Sequence, residues 1–235
     1  MRVVVTRPEP QSEQTAAALR ARGHDVLLGP LMKVEPIVAD LSGPWGGVVI
    51  TSANALAAIA GDSVRDALLA LPLFAVGRRS AAVARAAGFT DVTSAGGDVR
   101  DLVQLLRERK DAAPLLYLAG QDRAADLVGE LAVHGIAAEM RVVYRAVTTP
   151  FPPALVAALE AGDVEAVLHF SRRSAENYLA GARAAGIAEA ALAVRHYCLS
   201  AQVAAPLQAA GAGRVAVAPQ PQEAALIELL PLSPG

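Results

Sequence analysis

One strand-to-helix module occurs twice in this chain, and a repeated module of that kind restricts the possible folds more than any other feature. Val48-Val49-Ile50-Thr51-Ser52 ahead of Ala53-Asn54-Ala55-Leu56 returns in outline as Ala166-Val167-Leu168-His169-Phe170-Ser171 ahead of Arg172-Arg173-Ser174. Leu73-Phe74-Ala75-Val76-Gly77, leading into residues 78–88, is matched by His196-Tyr197-Cys198-Leu199-Ser200, leading into 201–211. Strand-like runs at 2–6, 47–51, 73–76, 91–94, 114–118, 138–146, 164–170, 194–199 and 214–217 alternate with Ala-, Leu- and Arg-rich helical patterns. Such alternation predicts parallel sheets covered by helices. The first helix is expected over about Glu9 to Arg22, with Gly23 as the left-handed residue that stops it. Gly88, Gly135, Gly186 and Gly211 hold the same place after their helices.

A second pair of units decides how the modules are divided. Residues Arg2 to Gly23 and Leu115 to Gly135 both place an arginine shortly after a strand, Arg7 in one and Arg123 in the other. The first unit precedes its serine-ended partner, whereas the second follows its own. The simplest assignment is therefore discontinuous: residues 1–35 with 147–235 form one lobe and 36–146 the other. The chain then crosses between lobes through 32–37 and 141–147, both extended in character and without the Gly/Ser content of a loose linker. A two-stranded connection is expected, with a cleft between the lobes as the natural place for a small-molecule site.

Composition narrows the possible functions. At 54% hydrophobic and 19% charged residues, 235 residues suffice for well-buried lobes. A net charge of -2 gives no general reason for nucleic-acid binding. A single cysteine, Cys198, rules out an internal disulfide and fits a reducing compartment, the cytoplasm. No signal peptide or apolar run of ~20 residues is evident, so no membrane partner is expected; a monomer is expected.

Ligands of open parallel sheets bind beyond the carboxyl ends of the strands, where helix N-termini present free N–H groups. Thr6, Arg7, Ser52, Gly77, Ser80, Gly96, Arg123, Ser171, Arg172 and Ser200 all follow predicted strands. Each hydroxyl either caps its helix or donates to an anion; together the set suits a large, carboxylate-rich ligand. Only Lys33 and Lys110 are lysines among the 21 basic residues, and most of the arginines are read as solvated. Dinucleotide, P-loop and nucleophile-elbow patterns are missing. His24, His134, His169 and His196 lack ligand spacing, so no metal is expected. Cys198 reads as a small core residue and Trp45 as loop packing. Tyr144 lies on the second crossing segment, where its phenol either packs or donates to a departing oxygen.

In this order Val5-Thr6-Arg7-Pro8, Ile50-Thr51-Ser52, Ala75-Val76-Gly77 with Ser80, Gly120 with Arg123, Val143-Tyr144, Phe170-Ser171 and Ala218-Pro219 resemble the uroporphyrinogen-III synthase family over nearly the whole chain. The resemblance implies an α/β fold of two flavodoxin-like parallel-sheet lobes joined by a two-stranded linker, and no cofactor. It implies closure of linear hydroxymethylbilane into a macrocycle with inversion of the last ring: loss of hydroxyl as water, an azafulvene cation, a spiro intermediate, then fragmentation and re-closure. Tyr144 matches the tyrosine that assists hydroxyl departure; Thr6, Ser52, Gly77, Ser80, Arg123 and Ser171 match substrate-binding positions. Many members carry glycine and then paired threonines where this chain has Leu199-Ser200-Ala201-Gln202-Val203, so that either Ser200 and Gln202 or backbone N–H groups replace those donors. The rival readings are a non-catalytic two-lobe module that holds an anionic tetrapyrrole or another small acid, and an unrelated flavodoxin-like regulatory domain.

Overall fold

The computed structural model describes residues 1–9, 11–123 and 125–231. The chain begins β1 (Arg2–Val5), α1 (Gln11–Arg20), β2 (Asp25–Leu28), β3 (Met32–Pro36). It continues β4 (Gly47–Ile50), α2 (Asn54–Ala58), α3 (Arg65–Leu69), β5 (Leu73–Ala75), α4 (Arg78–Ala86), β6 (Val92–Ser94), α5 (Val99–Glu108), β7 (Leu115–Gly120), α6 (Leu127–Val133) and β8 (Ala138–Thr148). It ends α7 (Pro153–Glu160), β9 (Ala166–His169), α8 (Arg172–Ala184), α9 (Ala188–Ala193), β10 (Arg195–Cys198), α10 (Ala201–Ala209), β11 (Val215–Val217) and α11 (Glu223–Glu228). All nine strands expected from sequence are present, mostly shorter by a residue or two at their ends. β2 is added, a four-residue edge strand with too little apolar alternation to stand out.

The described residues cluster into two units: Met1–Lys33 with the chain from Val147 onward, and Val34–Ala146. Both boundaries fall inside strands, one in β3 and one in β8, which are neighbours in a sheet.

In the first unit five strands lie in the order β11-β10-β9-β1-β2, every pair parallel. Renumbered within the unit this is 2-1-3-4-5, the flavodoxin-like order. The central strands β1 and β9 are buried on both faces by helices and, but for His169 at the end of β9, apolar along their buried length. Alternate residues feed opposite layers: Val4, Val167 and Cys198 join Leu155, Tyr178 and Leu207 on one side, while Val3, Val5, Ala166, Leu168 and Tyr197 join Leu19 and Leu226 on the other.

The second unit has the order β3-β8-β7-β4-β5-β6, with the five strands from β8 to β6 parallel. Those five repeat the first unit's order with the chain entering at a different strand: β4, β5, β6, β7 and β8 stand where β9, β10, β11, β1 and β2 stand. The two lobes are thus circular permutations of one sheet, which is the offset between the arginine-bearing and serine-ended units in the sequence. Val48, Ile50, Leu73, Leu116 and Leu118 build one layer, and Val49, Phe74, Leu115, Tyr117 and Ala119 the other.

The helix stops follow the sequence closely. Gly23, Gly88, Gly135, Gly186 and Gly211 all have positive φ, between 71° and 109°, which a residue with a Cβ enters only at a cost. The first helix, however, spans Gln11–Arg20 and not 9–22.

Candidate active site

The site residues collect at the carboxyl edges of the two sheets, in two sets. In the first unit Thr6 and Arg7 follow β1, Ser171 follows β9 and Ser200 follows β10, three adjacent parallel strands. In the second unit Ser52 follows β4, Gly77 and Ser80 follow β5, Arg123 follows β7, and Tyr144 lies within β8.

Thr6 is fully buried, and its hydroxyl donates to the Leu168 carbonyl at 2.8 Å. Its side chain thus ties β1 to β9, leaving the backbone beyond it to present the neighbouring arginine. Arg7 is held from three sides. It donates to Glu223 at 2.9 Å and to Thr15 at 3.3 Å, and its guanidinium lies 4.4 Å from the centroid of the Phe170 ring. Thr15 also bonds to the other Glu223 oxygen. Glu223, the first residue of α11, is therefore joined to this candidate set although nothing near it in sequence signals the contact. It balances the Arg7 charge, and the stack on Phe170 fixes the guanidinium plane.

Ser171 caps α8. Its oxygen accepts from Ser174 N–H at 3.1 Å while Ser174 reaches back to the Ser171 N–H, a reciprocal box. A hydroxyl that accepts in this way keeps its own proton for donation. Its echo, Ser52, does something else. The oxygen of Ser52 accepts from Asn54 N–H at 3.3 Å, Ala53 precedes the helix in a helical conformation, and α2 runs five residues against thirteen for α8. The turn after β4 is one residue longer, so the repeat holds in topology and not residue for residue.

Gly77 and Ser200 are the closest structural counterparts. Both cap nine-residue helices with identical backbone angles, φ -157° and ψ 169°, and neither makes a side-chain cap. The Ser200 carbonyl accepts from Val203 and Ala204, so the first N–H groups of α10 have no partner within the helix. Backbone donors are therefore available where the paired threonines are lacking. The exposed Gln202 follows on the same turn. Ser80 is turned inward and 8% exposed, away from solvent-facing donors.

Arg123 folds back on its own loop, donating to the carbonyls of Gly120 and Gln121 at 3.2 and 3.0 Å. With Tyr117, Gln121, Asp126, Leu127 and Met140 it lines a cavity of about 710 Å³ beyond β7. Thr51 and Tyr117 meet through their hydroxyls at 3.0 Å at the base of this edge. Tyr144 is not among the described residues that line the cavity: it is half-buried against the layer of Val143, Leu118 and Ile50, whereas Tyr117, Leu127 and Met140 of the cavity belong to the other layer. The Tyr144 ring lies directly over Gly120.

The four histidines fall away from these edges or within the core, and among the described residues no group of three or more His, Cys, Asp or Glu is placed to hold a metal ion. Burial pushes the Cys198 thiol up to about 12, consistent with a core residue and not a nucleophile. No described helix is long and apolar enough to cross a membrane.

The chain resembles two solved structures along its length. The uroporphyrinogen-III synthetase of Helicobacter pylori shares 20% identity with it, covering 97% of this chain and 98% of that one, with a TM-score of 0.67. A mutant uroporphyrinogen III synthase of Thermus thermophilus shares 18%, covering 97% and 96%, with a TM-score of 0.52. At these identities the likeness shows a common fold. No curated protein matches. The family model for uroporphyrinogen-III synthase HemD matches residues 13–228. With that match over most of its length, two permuted parallel sheets and a carboxyl edge furnished with these residues, the chain belongs to the uroporphyrinogen-III synthase HemD family.

Proposed function

We propose that this protein closes hydroxymethylbilane to uroporphyrinogen III as a carbon–oxygen lyase, with Tyr144 as the group that assists departure of the substrate hydroxyl. The observation that carries the reading is the family match over residues 13–228. Tyr144 supports it by its place opposite Gly120 at the carboxyl end of β7, half-buried with its ring over that glycine.

The steps follow from the chemistry of the substrate. The Tyr144 phenol gives its proton to the hydroxyl of the terminal hydroxymethyl group, the C–O bond breaks, and water leaves. The carbon left behind is a cation delocalised onto the pyrrole nitrogen. The substituted carbon of the terminal pyrrole attacks it to give a spiro centre; the other methylene bond at that centre breaks and re-forms to the pyrrole's free carbon, which inverts the ring, and the proton expelled from that carbon restores the Tyr144 phenol. General-acid assistance of this kind contributes ~10²–10⁴-fold. Holding the flexible chain in the reactive fold adds to this, since the pyrroles otherwise close in the wrong sense. Arg7, Arg123 and the N-terminal amides of α8 and α10 are the proposed partners of the substrate carboxylates; Ser52, Gly77, Ser171 and Ser200 complete the proposed binding set, with the buried Thr6 and Ser80 supporting it from within. Action as a cytoplasmic monomer belongs to the same proposal, with the single thiol, Cys198, supporting a reducing compartment.

The test supplies freshly made hydroxymethylbilane and separates the product isomers. Wild type is expected to give the inverted isomer faster than spontaneous closure, and Tyr144→Phe to slow it by ~10²-fold or more with the melting transition unchanged. Formation of only the uninverted isomer at the spontaneous rate refutes the enzyme, and is the result expected of a binding module without turnover.

A further inference from the structure

Tyr144 does not reach its position by ordinary strand geometry. Along β7 and β8 the register pairs Leu118 with Arg141 and Ala119 with Val142, then jumps to pair Gly120 with Tyr144. Val143 is the extra residue of a bulge. In a regular strand Val143 and Tyr144 would point to opposite faces; here both pack against the layer of Ile50, Leu116 and Leu118. The bulge is fixed from both sides, because Ile37 N–H donates to the Val143 carbonyl at 2.7 Å and Gln121 N–H to the Tyr144 carbonyl at 2.9 Å.

The residue across from Tyr144 is the one that leaves room for it. A Cβ placed on Gly120 would lie 2.6 Å from Tyr144 Cζ, and 2.8 Å from both Cε2 and the phenol oxygen. Ordinary contact begins at 3.4 Å, so the ring tip must retreat by about 0.8 Å to admit a single methyl group. Gly120 has no positive φ to explain its identity. What requires glycine here is the phenol lying on it.

We infer that Gly120 and the Val143 bulge form a seat that sets the Tyr144 hydroxyl, making Gly120 a positioning residue for proton delivery to the leaving hydroxyl. The inference rests on the catalytic role proposed for Tyr144. It predicts an unusual variant. In Gly120→Ala the atoms that must yield are the far end of a half-exposed side chain and not backbone, so the fold survives while the hydroxyl moves. Displacement of a reacting group on the order of 1 Å costs up to ~10²-fold in rate.

The experiment measures kcat and KM for inverted-isomer formation in wild type, Gly120→Ala, Tyr144→Phe and the double variant, with thermal unfolding of each. Expected are a kcat lowered ~10- to 10²-fold in Gly120→Ala at nearly constant KM, an unchanged melting transition, and a double variant no slower than Tyr144→Phe alone. That last result separates positioning from general damage, because a seat has nothing to position once the hydroxyl is gone. Losses that multiply in the double variant, or a kcat unchanged in Gly120→Ala while Tyr144→Phe is slow, overturn the seat alone. A Tyr144→Phe enzyme as fast as wild type overturns the proposed role of Tyr144, and the seat's part in catalysis with it.

Discussion

Acid should weaken the first unit selectively, through two histidines in its core. His169 on β9 and His196 on β10 are both fully buried, with His169 Nε2 3.2 Å from His196 Nδ1 and the edge of the Tyr178 ring against both. One nitrogen of the facing pair must be bare, since two N–H groups cannot point at each other, so the pair is stable only when neutral at that contact. Burial pushes His196 down to about 4, despite the carbonyls of Leu192 and Ala191, and burial followed by the neighbouring His196 pushes His169 well below the ordinary histidine value. The unfolded chain titrates near 6.5 and binds more protons than the folded one below that value. Stability is therefore complete above 6.5 and falls as the pH drops, until His196 also protonates in the fold near 4. At about pH 5 His196 alone costs roughly 2 kcal/mol, a sizeable part of a typical 5–15 kcal/mol, and His169 adds to the loss in the same direction. Urea unfolding near pH 7 and pH 5 reads this, with amide exchange of β9 and β10 reporting the first unit and fluorescence of Trp45 the second. His196→Gln should reduce the pH dependence. An equal acid loss in the Trp45 transition, or an undiminished one in a His169→Gln/His196→Gln variant, would show the reasoning to be wrong.

Two further outcomes test local features. Ser171→Ala removes the oxygen that accepts from Ser174 N–H and should lower stability by about 1 kcal/mol in denaturant unfolding; if Ser171 also donates to substrate, KM rises in the same variant. Gly186→Ala meets no atom within 4 Å but must hold φ near 73°, so a loss of roughly 1 kcal/mol, from backbone alone, is expected in the same measurement.

Features set by short-range chemistry were legible in the sequence. The left-handed glycines at 23, 88, 135, 186 and 211 each follow a helical pattern directly, and the buried strands read as unbroken apolar runs because both faces are covered. A sixth glycine of this type, Gly162 after α7, has the same φ and no comparably clear helix before it in sequence. Features decided by distant partners were not. That Thr6 turns its hydroxyl to Leu168 and Arg7 pairs with Glu223 depends on residues 162 and 216 positions away. Ser52 and Ser171 look alike in sequence and differ because one extra residue in the turn after β4 shifts the helix start. The seat under Tyr144 needed the register slip in β8, which no pattern of residue types announces.

The permutation of the two sheets also fixes an order of assembly. β1 lies between β2 and β9, so after residues 1–33 are made the first unit consists of a two-stranded piece with one edge of β1 open, and such a piece is marginal by itself. Nothing closes that edge until Ala166 emerges. The strands β4 to β8 need no partner beyond the stretch 34–146. As the chain leaves the ribosome, the inserted lobe is complete before the lobe that carries it, and the exposed edge of β1 waits through the synthesis of more than a hundred residues.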